Sequence, residues 1–447
     1  MKESNGFKQR PIKPERILCL GFLALILAGG LLLALPAAAP GGRSIGVRKA
    51  LFTATSAVCV TGLTLIDVGA ELSLFGQIVL LCLIQVGGLG FMVFATLIMV
   101  ALGRRISLKS RVLLRESMNQ TTLSGMVRLS MTFFGMAACI ELAGAAVLAT
   151  RLIPILGVKR GVWNSVFTAV SAFCNAGFDL FGGLGRMQRE PVVLLTLCAL
   201  IVLGGLGFPV LLDLLHNRTH LKKMTLHAKL VLTSTGVLLL FGLLITLALE
   251  WDHALAGLTF GDKLTNSLFQ SATLRTAGFA SVDQGSLRDA SKLLDCLLMF
   301  TGASSASTGG GVKTTTMALL VLLVAAVARG RNHIRAFGRE ISVDTVRRAI
   351  TICVIGLTVV LGAACAISTM ENGRFSMMDV LFETTSAFST TGLSALNTPN
   401  LSPVSQWLLM PLMYLGRVGP LTLTFALAKQ NDDANHIHYP EEKIMIG

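Results

Sequence analysis

The chain has 447 residues, of which 53% are apolar and only 14% charged, with a mean hydropathy of +0.71 and a formal net charge of +14. So little charge, together with recurring runs near the ~20 apolar residues needed to cross a bilayer, excludes a soluble globular domain. The excess Lys and Arg stand in short blocks between apolar runs with no interleaved aromatics, which fits cytoplasmic loops and not a nucleic-acid surface.

The first apolar run, residues 17–35, follows a basic flank. It is long for a signal peptide and ends in no small-residue cleavage site, so it is predicted to be a membrane span. Shortly after it comes LFTATSAVCVTGL, from Leu51, and something very like this stretch appears three more times: VFTAVSAFCNAGF from Val166, LFQSATLRTAGF from Leu268 and LFETTSAFSTTGL from Leu381. Each copy begins with helical character and closes on a glycine: Gly62, Gly177, Gly278 and Gly392, spaced by 115, 101 and 114 residues. One unit of roughly a hundred residues is used four times, and an internal repeat of this kind decides the fold.

Within each unit a span, a half-length apolar helix ending in the glycine motif, and a second span follow one another. The first spans are predicted at 17–35, 127–152, 226–249 and 346–370, and the second at 74–102, 192–215, 293–328 and 404–428. Between each pair, the segment beginning near Val47, Gly161, Asp262 or Phe375 is too short to cross. It must enter the membrane and return, and its irregular return strand is tolerated only where it lines protein or a water-filled cavity. The expected architecture is an all-α polytopic membrane protein, with eight transmembrane helices and four re-entrant loops around a pseudo-fourfold pore. Its parts are an amino-terminal tail (1–16), repeats at 17–102, 103–215, 216–328 and 329–428, and a carboxyl-terminal tail (429–447). With the amino terminus inside, the five inner segments hold 23 Lys and Arg against 10 Asp and Glu, and the outer ones 12 against 12. The positive-inside rule therefore puts both termini in the cytoplasm. The nine cysteines lie nearly all in apolar runs without paired close spacing, as buried small hydrophobes do, and not as a disulfide or zinc framework does.

A half-helix followed by an extended, glycine-ended return, in four copies, is what an ion filter requires. A ring of backbone carbonyls can replace the water shell of a cation, and the closing residue must be Gly because aligned carbonyls call for backbone angles a side chain disfavours. The residues before the glycines share little: Cys59, Val60 and Thr61; Cys174, Asn175 and Ala176; Arg275, Thr276 and Ala277; Ser389, Thr390 and Thr391. Main chain, not side chain, is therefore expected to bind the ion, with Arg275 bracing its loop from behind and Glu383 bonding filter backbone. The third loop is one residue shorter between Phe269 and Gly278 than its counterparts, so its local geometry is expected to differ.

The second spans echo one another in QVGGLGF (85–91) and VLGGLGF (202–208), whose glycines are expected to serve close packing. In the third unit the span is interrupted by Gly302, Ala303, Ser304, Ser305, Ala306, Ser307, Thr308, Gly309, Gly310, Gly311, Val312 and Lys313. Such a run favours neither rigid helix nor lipid exposure, so a loop below the filter is predicted there, a gate across the ion path, with a kinked helix as the alternative. Arg417 in the last span is expected to face the pore, to hold gate-loop carbonyls, or both; a salt bridge to Glu141 or Asp295 is the other option.

At ATSAVCVTGL, LIQVGGLGFM, SAFCNAGF, RTAGF, GASSASTGGGVKTTT, SAFSTTGL, GRVGPLT and the closing YPEEK, the sequence resembles the Ktr/Trk/HKT superfamily of potassium transporters, and within it the KtrB-type subunits. The resemblance implies a potassium filter at Gly62, Gly177, Gly278 and Gly392, sodium-stimulated uptake, a homodimer formed through the carboxyl-terminal tail, and an octameric cytosolic ring of KtrA-type nucleotide-binding subunits. Relatives with serine in the first loop are associated with sodium transport, so Gly62 favours potassium. The chain lacks the two extra amino-terminal spans typical of TrkH, and its gate stretch has one glycine more than many KtrB relatives show. No Walker sequence, nucleophile constellation or organic cofactor signature is present, so the chain is not expected to be an enzyme. Alternatives are the potassium-binding subunit of a P-type ATPase, which the eight-span count disfavours, and a sodium/potassium transporter of low selectivity. An inverted-repeat carrier does not fit repeats that all run in one orientation.

Overall fold

The computed structural model describes residues 14–90, 93–94, 100, 126–217, 220–331, 333–420 and 422. The first unit runs through α1 (Pro14–Ala34), α2 (Val47–Cys59) and α3 (Leu74–Leu89). The second contains α4 (Met126–Leu156), α5 (Val158–Phe173), α6 (Pro191–Leu206) and α7 (Phe208–Asn217). The third contains α8 (Leu226–Glu250), α9 (Phe260–Thr273), α10 (Asp289–Phe300) and α11 (Thr314–Ala328), and the fourth α12 (Val343–Met370), α13 (Met377–Ser389) and α14 (Pro403–Val418). A two-stranded hairpin, β1 (Arg335–Ala336) with β2 (Arg339–Glu340), connects α11 to α12.

Helices α1, α4, α8 and α12, with 21, 31, 25 and 28 residues, are long enough at about 1.5 Å per residue to cross a hydrocarbon core of about 30 Å. They coincide with the predicted first spans to within a few residues. Their outer faces present Leu20, Leu31, Leu142, Val237, Leu240, Val354 and Leu357 to the surroundings, a surface suited to lipid tails. The half-helices α2, α5, α9 and α13 have 13, 16, 14 and 13 residues, too short to span, and are rich in Thr, Ser and Ala. A phenylalanine at the same place in each, Phe52, Phe167, Phe269 and Phe382, is fully buried.

The second spans depart from the prediction of continuous helices. The first ends at Gly90, the second bends by 98° at Gly207 and the fourth stops at Gly419. Only the third was expected to break. The physical cause is common to all three: these glycines have φ of +88°, +89° and +90°, outside the helical region and disfavoured for any residue with a side chain. Among the described residues four helices are therefore long and apolar enough to cross, or five if the bent pair is one span. The continuations of the first and fourth second spans, the 103–125 loop, residues 1–13 and the carboxyl-terminal tail lie outside the described residues.

Each long first helix packs on its own half-helix: α1 on α2, α4 on α5, α8 on α9 and α12 on α13. The second spans reach further round. Helix α3 touches α5, α6 touches α9, α10 touches α13, and α14 comes back to α2, so the units are joined in sequence order and the last closes on the first. The glycines of the second spans also let α3, α6 and α14 each lie close against the half-helix of its own unit. A methyl group on Gly87, Gly204 or Gly416 would collide with the carbonyl oxygen of Val58, Phe173 or Phe388, in the last turn of the half-helix of its own unit.

Candidate ion filter and gate

The four motif glycines meet at the centre. A methyl group built on Gly62 would lie 2.8 Å from Ala176 O, and one on Gly177 would lie 2.8 Å from Ala277 O. On Gly278 it would overlap Thr391 O, and on Gly392 it would overlap Thr61 O. Each would also lie close to the Cα of the next glycine, at 3.1, 3.0, 3.2 and 2.9 Å in that order. Every glycine thus abuts the carbonyl of the residue preceding the next glycine, and the ring closes from the fourth loop to the first.

Main-chain hydrogen bonds decide where the carbonyls point. The residue before each glycine donates its N–H back into its own half-helix: Thr61 to Ser56 O (2.7 Å), Ala176 to Ser171 O (2.7 Å), Ala277 to Thr273 O (2.9 Å) and Thr391 to Ser386 O (2.8 Å). A trans peptide sets C=O antiparallel to N–H, so the carbonyls of Val60, Asn175, Thr276 and Thr390 point away from the half-helices. These four residues are left-handed, with φ of 57°, 58°, 68° and 52°, a conformation that costs about 1–3 kcal/mol and persists only where the surroundings impose it. The glycines follow at φ of 98°, 70°, 80° and 92°. The short third loop is absorbed here. Its return bond spans four residues, Ala277 to Thr273, where the other three loops span five.

At the helix ends, Cys59, Cys174, Arg275 and Ser389 are all buried. The Cys174 thiol donates to Gln85 Oε1 at 3.3 Å, and Gln85 in turn donates to both oxygens of Glu141 at 2.9 and 3.0 Å. Arg275 was expected to brace its loop, yet its Nε and Nη2 make no hydrogen bond among the described residues. Glu383 bonds side chains of the segment after the filter and not filter backbone: Ser394 Oγ and Thr398 Oγ1 donate to it at 2.7 and 2.6 Å. Both hydroxyls lie on the outgoing strand, so the carboxylate ties that strand to α13. Beyond the second filter loop, Asp179 accepts from the amides of Phe181 and Gly183, both at 3.0 Å. Burial, with Asp67 nearby, raises its carboxyl above the usual range.

The segment 302–313 is a loop, not a kinked helix. Gly302 N donates to Val312 O at 2.8 Å, and Thr314 N to Ala303 O at 3.2 Å, closing its base. Its tip is tied to two other units: Ser304 N donates to Gly205 O at 3.1 Å, Phe208 N to Ala306 O at 3.2 Å, and Gly311 N to Gly416 O at 3.3 Å. Ser307 Oγ donates back to Ser304 O at 2.6 Å, and Ser305 Oγ pairs with Thr315 Oγ1 at 3.1 Å. The three consecutive glycines each face one of the motif loops. A side chain on Gly309 would collide with Thr276 Oγ1, one on Gly310 would collide with Thr390 Oγ1, and one on Gly311 would come within 3.2 Å of Ser389 O. Lys313 Nζ donates to Gly309 O at 2.8 Å, and Thr308 Oγ1 donates to Phe173 O at 3.1 Å. Arg417 donates to Thr308 O, Gly87 O and Gly88 O, joining the loop to α3 and α14. The alternative ion pairs are not made: Glu141 is taken by Gln85, and Asp295 accepts from Gln270 Nε2 at 3.2 Å.

Residues 26–439 match the model of the family described as TrkH, cation transport protein. The chain is 40% identical to the Ktr system potassium uptake protein B of Bacillus subtilis over 97% of both chains. It is 39% identical to the potassium/sodium uptake protein NtpJ of Enterococcus hirae over 98% of both. The crystal structure of the potassium transporter TrkH from Vibrio parahaemolyticus shares its fold with a TM-score of 0.73 at 18% identity, covering 96% of this chain and 87% of that one. Near full-length coverage, a shared fold and a multi-pass helical architecture together place this chain in the TrkH family of cation transport proteins, among its Ktr/Trk potassium uptake members.

Proposed function

We propose that the chain is the potassium-translocating, channel-like subunit of a Ktr-type uptake system of the cell membrane, with both termini cytoplasmic. The observation that carries this reading is the cyclic contact of Gly62, Gly177, Gly278 and Gly392 with one another's carbonyl strands. Oxygens on four sides of one axis can replace the hydration shell of a dehydrated cation, and the carbonyl ends of α2, α5, α9 and α13 add negative potential there. The membrane potential, about 2.3 kcal/mol per charge per 100 mV, drives uptake without hydrolysis by this chain. The loop 302–313 is the gate, and Arg417 and Lys313 hold it under the filter.

Sodium stimulation, a homodimer and control by an octameric cytosolic nucleotide-binding ring follow from the Ktr-type resemblance and belong to the same proposal. A potassium/sodium transporter of low selectivity is the second reading, favoured by the likeness to the potassium/sodium uptake protein of Enterococcus hirae. Uptake by a potassium-auxotrophic host separates the two. Gly62→Ser is expected to lower the preference for potassium over sodium by about tenfold, since a side chain there strains a positive φ and presses on Ala176 O. An unaltered preference would reject the filter assignment, and a wild-type preference already near unity would establish the second reading.

A further inference from the structure

Four hydroxyl residues, Ser56, Ser171, Thr273 and Ser386, occupy the same place in the four half-helices, four residues after the buried phenylalanine. All four are fully buried. Each grips its return strand twice. One grip is the main-chain carbonyl that receives the N–H of the residue before the filter glycine. The other is the side-chain hydroxyl, and here the loops fall into two classes. Ser56 Oγ and Ser386 Oγ accept directly from the N–H of Gly62 and Gly392, both at 3.0 Å. Ser171 Oγ accepts one residue later, from Phe178 N at 3.0 Å, whereas Thr273 Oγ1 donates to Phe279 O at 2.7 Å.

The geometry points to these hydroxyls as positioning residues that set the preference of the filter for potassium, with Ser56 and Ser386 dominant. This rests on the reading of the glycine ring as the filter. The peptide unit whose N–H is held by Ser56 carries Thr61 C=O at its other edge, and the one held by Ser386 carries Thr391 C=O. Planar trans geometry turns both carbonyls away from the half-helix. They are the oxygens that abut Gly392 and Gly278 in the ring. Ser171 aims Gly177 C=O in the same way, one step further out, while Thr273 draws Phe279 C=O back and leaves the peptide of Ala277 C=O, the ring carbonyl of its loop, outside its grip. A clasped carbonyl keeps its distance from the axis. Once released, it moves in on the smaller sodium ion, so losing the clasp costs selectivity before it costs flux.

The test is the potassium-to-sodium flux ratio of the full chain in liposomes under an imposed potential. Ser56→Ala and Ser386→Ala are expected to lower the ratio by about two- to tenfold, the effect of one net hydrogen bond, and Ser171→Ala and Thr273→Val by less. Ser56→Thr, which keeps the hydroxyl, is expected to retain the wild-type ratio. A merely structural role would reduce both fluxes and leave the ratio alone, and that result overturns the proposal. Should the alanine chains fail to accumulate, Ser386→Cys, whose thiol is a weaker acceptor, is expected to give an intermediate ratio, and an unchanged one is equally fatal. Gly62→Ser run alongside separates the two levels: a ratio moved by Gly62→Ser but not by the hydroxyl variants overturns the clasp alone, and a ratio moved by neither overturns the filter reading with it.

Discussion

Alanine at Gly392 or Gly278 is expected to cut potassium uptake by about a hundredfold, against about tenfold for alanine at Gly62 or Gly177. All four positions have positive φ, so the conformational cost of a side chain is shared. What differs is the neighbour. At Gly62 and Gly177 the new carbon would sit 2.8 Å from the nearest oxygen, whereas at Gly278 and Gly392 it would overlap Thr391 O and Thr61 O. Those oxygens are main chain, fixed by the return bonds and by the Ser56 and Ser386 hydroxyls, so they cannot swing aside as a flexible side chain would. Uptake rates in a potassium-auxotrophic host, at matched amounts of protein in the membrane, measure the ranking. Four equal effects, or a larger one at Gly62, would show that the ring is not as tight as described.

Arg417→Ala is expected to raise potassium flux at least tenfold. Two barriers fall together. A positive charge beside the ion path opposes a passing cation by about 4 kcal/mol at 4 Å and an effective dielectric constant near 20, and screening by water in the cavity leaves a fraction of that. The guanidinium also straps Thr308 O of the 302–313 loop, the gate we propose, to Gly87 O and Gly88 O of α3, so its removal frees the loop from the first unit. Arg417→Lys divides the two contributions, because lysine keeps the charge but cannot reproduce a planar fork to three carbonyls. Flux that stays low in the lysine chain assigns the barrier to charge, and flux that rises as in the alanine chain assigns it to the strap. Equal or lower flux in the alanine chain removes Arg417 from the gate.

Much of the architecture was legible because membrane spans and repeats are written in composition and spacing. The long first helices fall where the apolar runs do, and the glycines that end the four motifs are the ones that meet. The breaks at Gly90, Gly207 and Gly419 were not legible, since a glycine in an apolar run reads equally well as a packing residue inside a helix, and here Gly87 and Gly204 do pack while their near neighbours bend the chain. That Glu383 bonds Ser394 and Thr398 and not filter backbone was not legible, because spacing alone does not say whether a buried carboxylate finds amides or hydroxyls. The hydroxyls of Ser56, Ser171, Thr273 and Ser386 leave a signal, since they recur at one register four residues after the phenylalanine. Serine is common at helix ends, and only the path of the return strand reveals that these hydroxyls face it.

The closure of α14 onto α2 has a consequence for biosynthesis. In the filter we propose, a polypeptide still emerging from the ribosome with three units inserted offers an ion no more than three sides of a coordination shell. Water is then the better solvent, and the half-made chain gives cations no low-energy route across the bilayer. Through the filter we propose, conduction therefore requires the fourth unit to be seated beside the first.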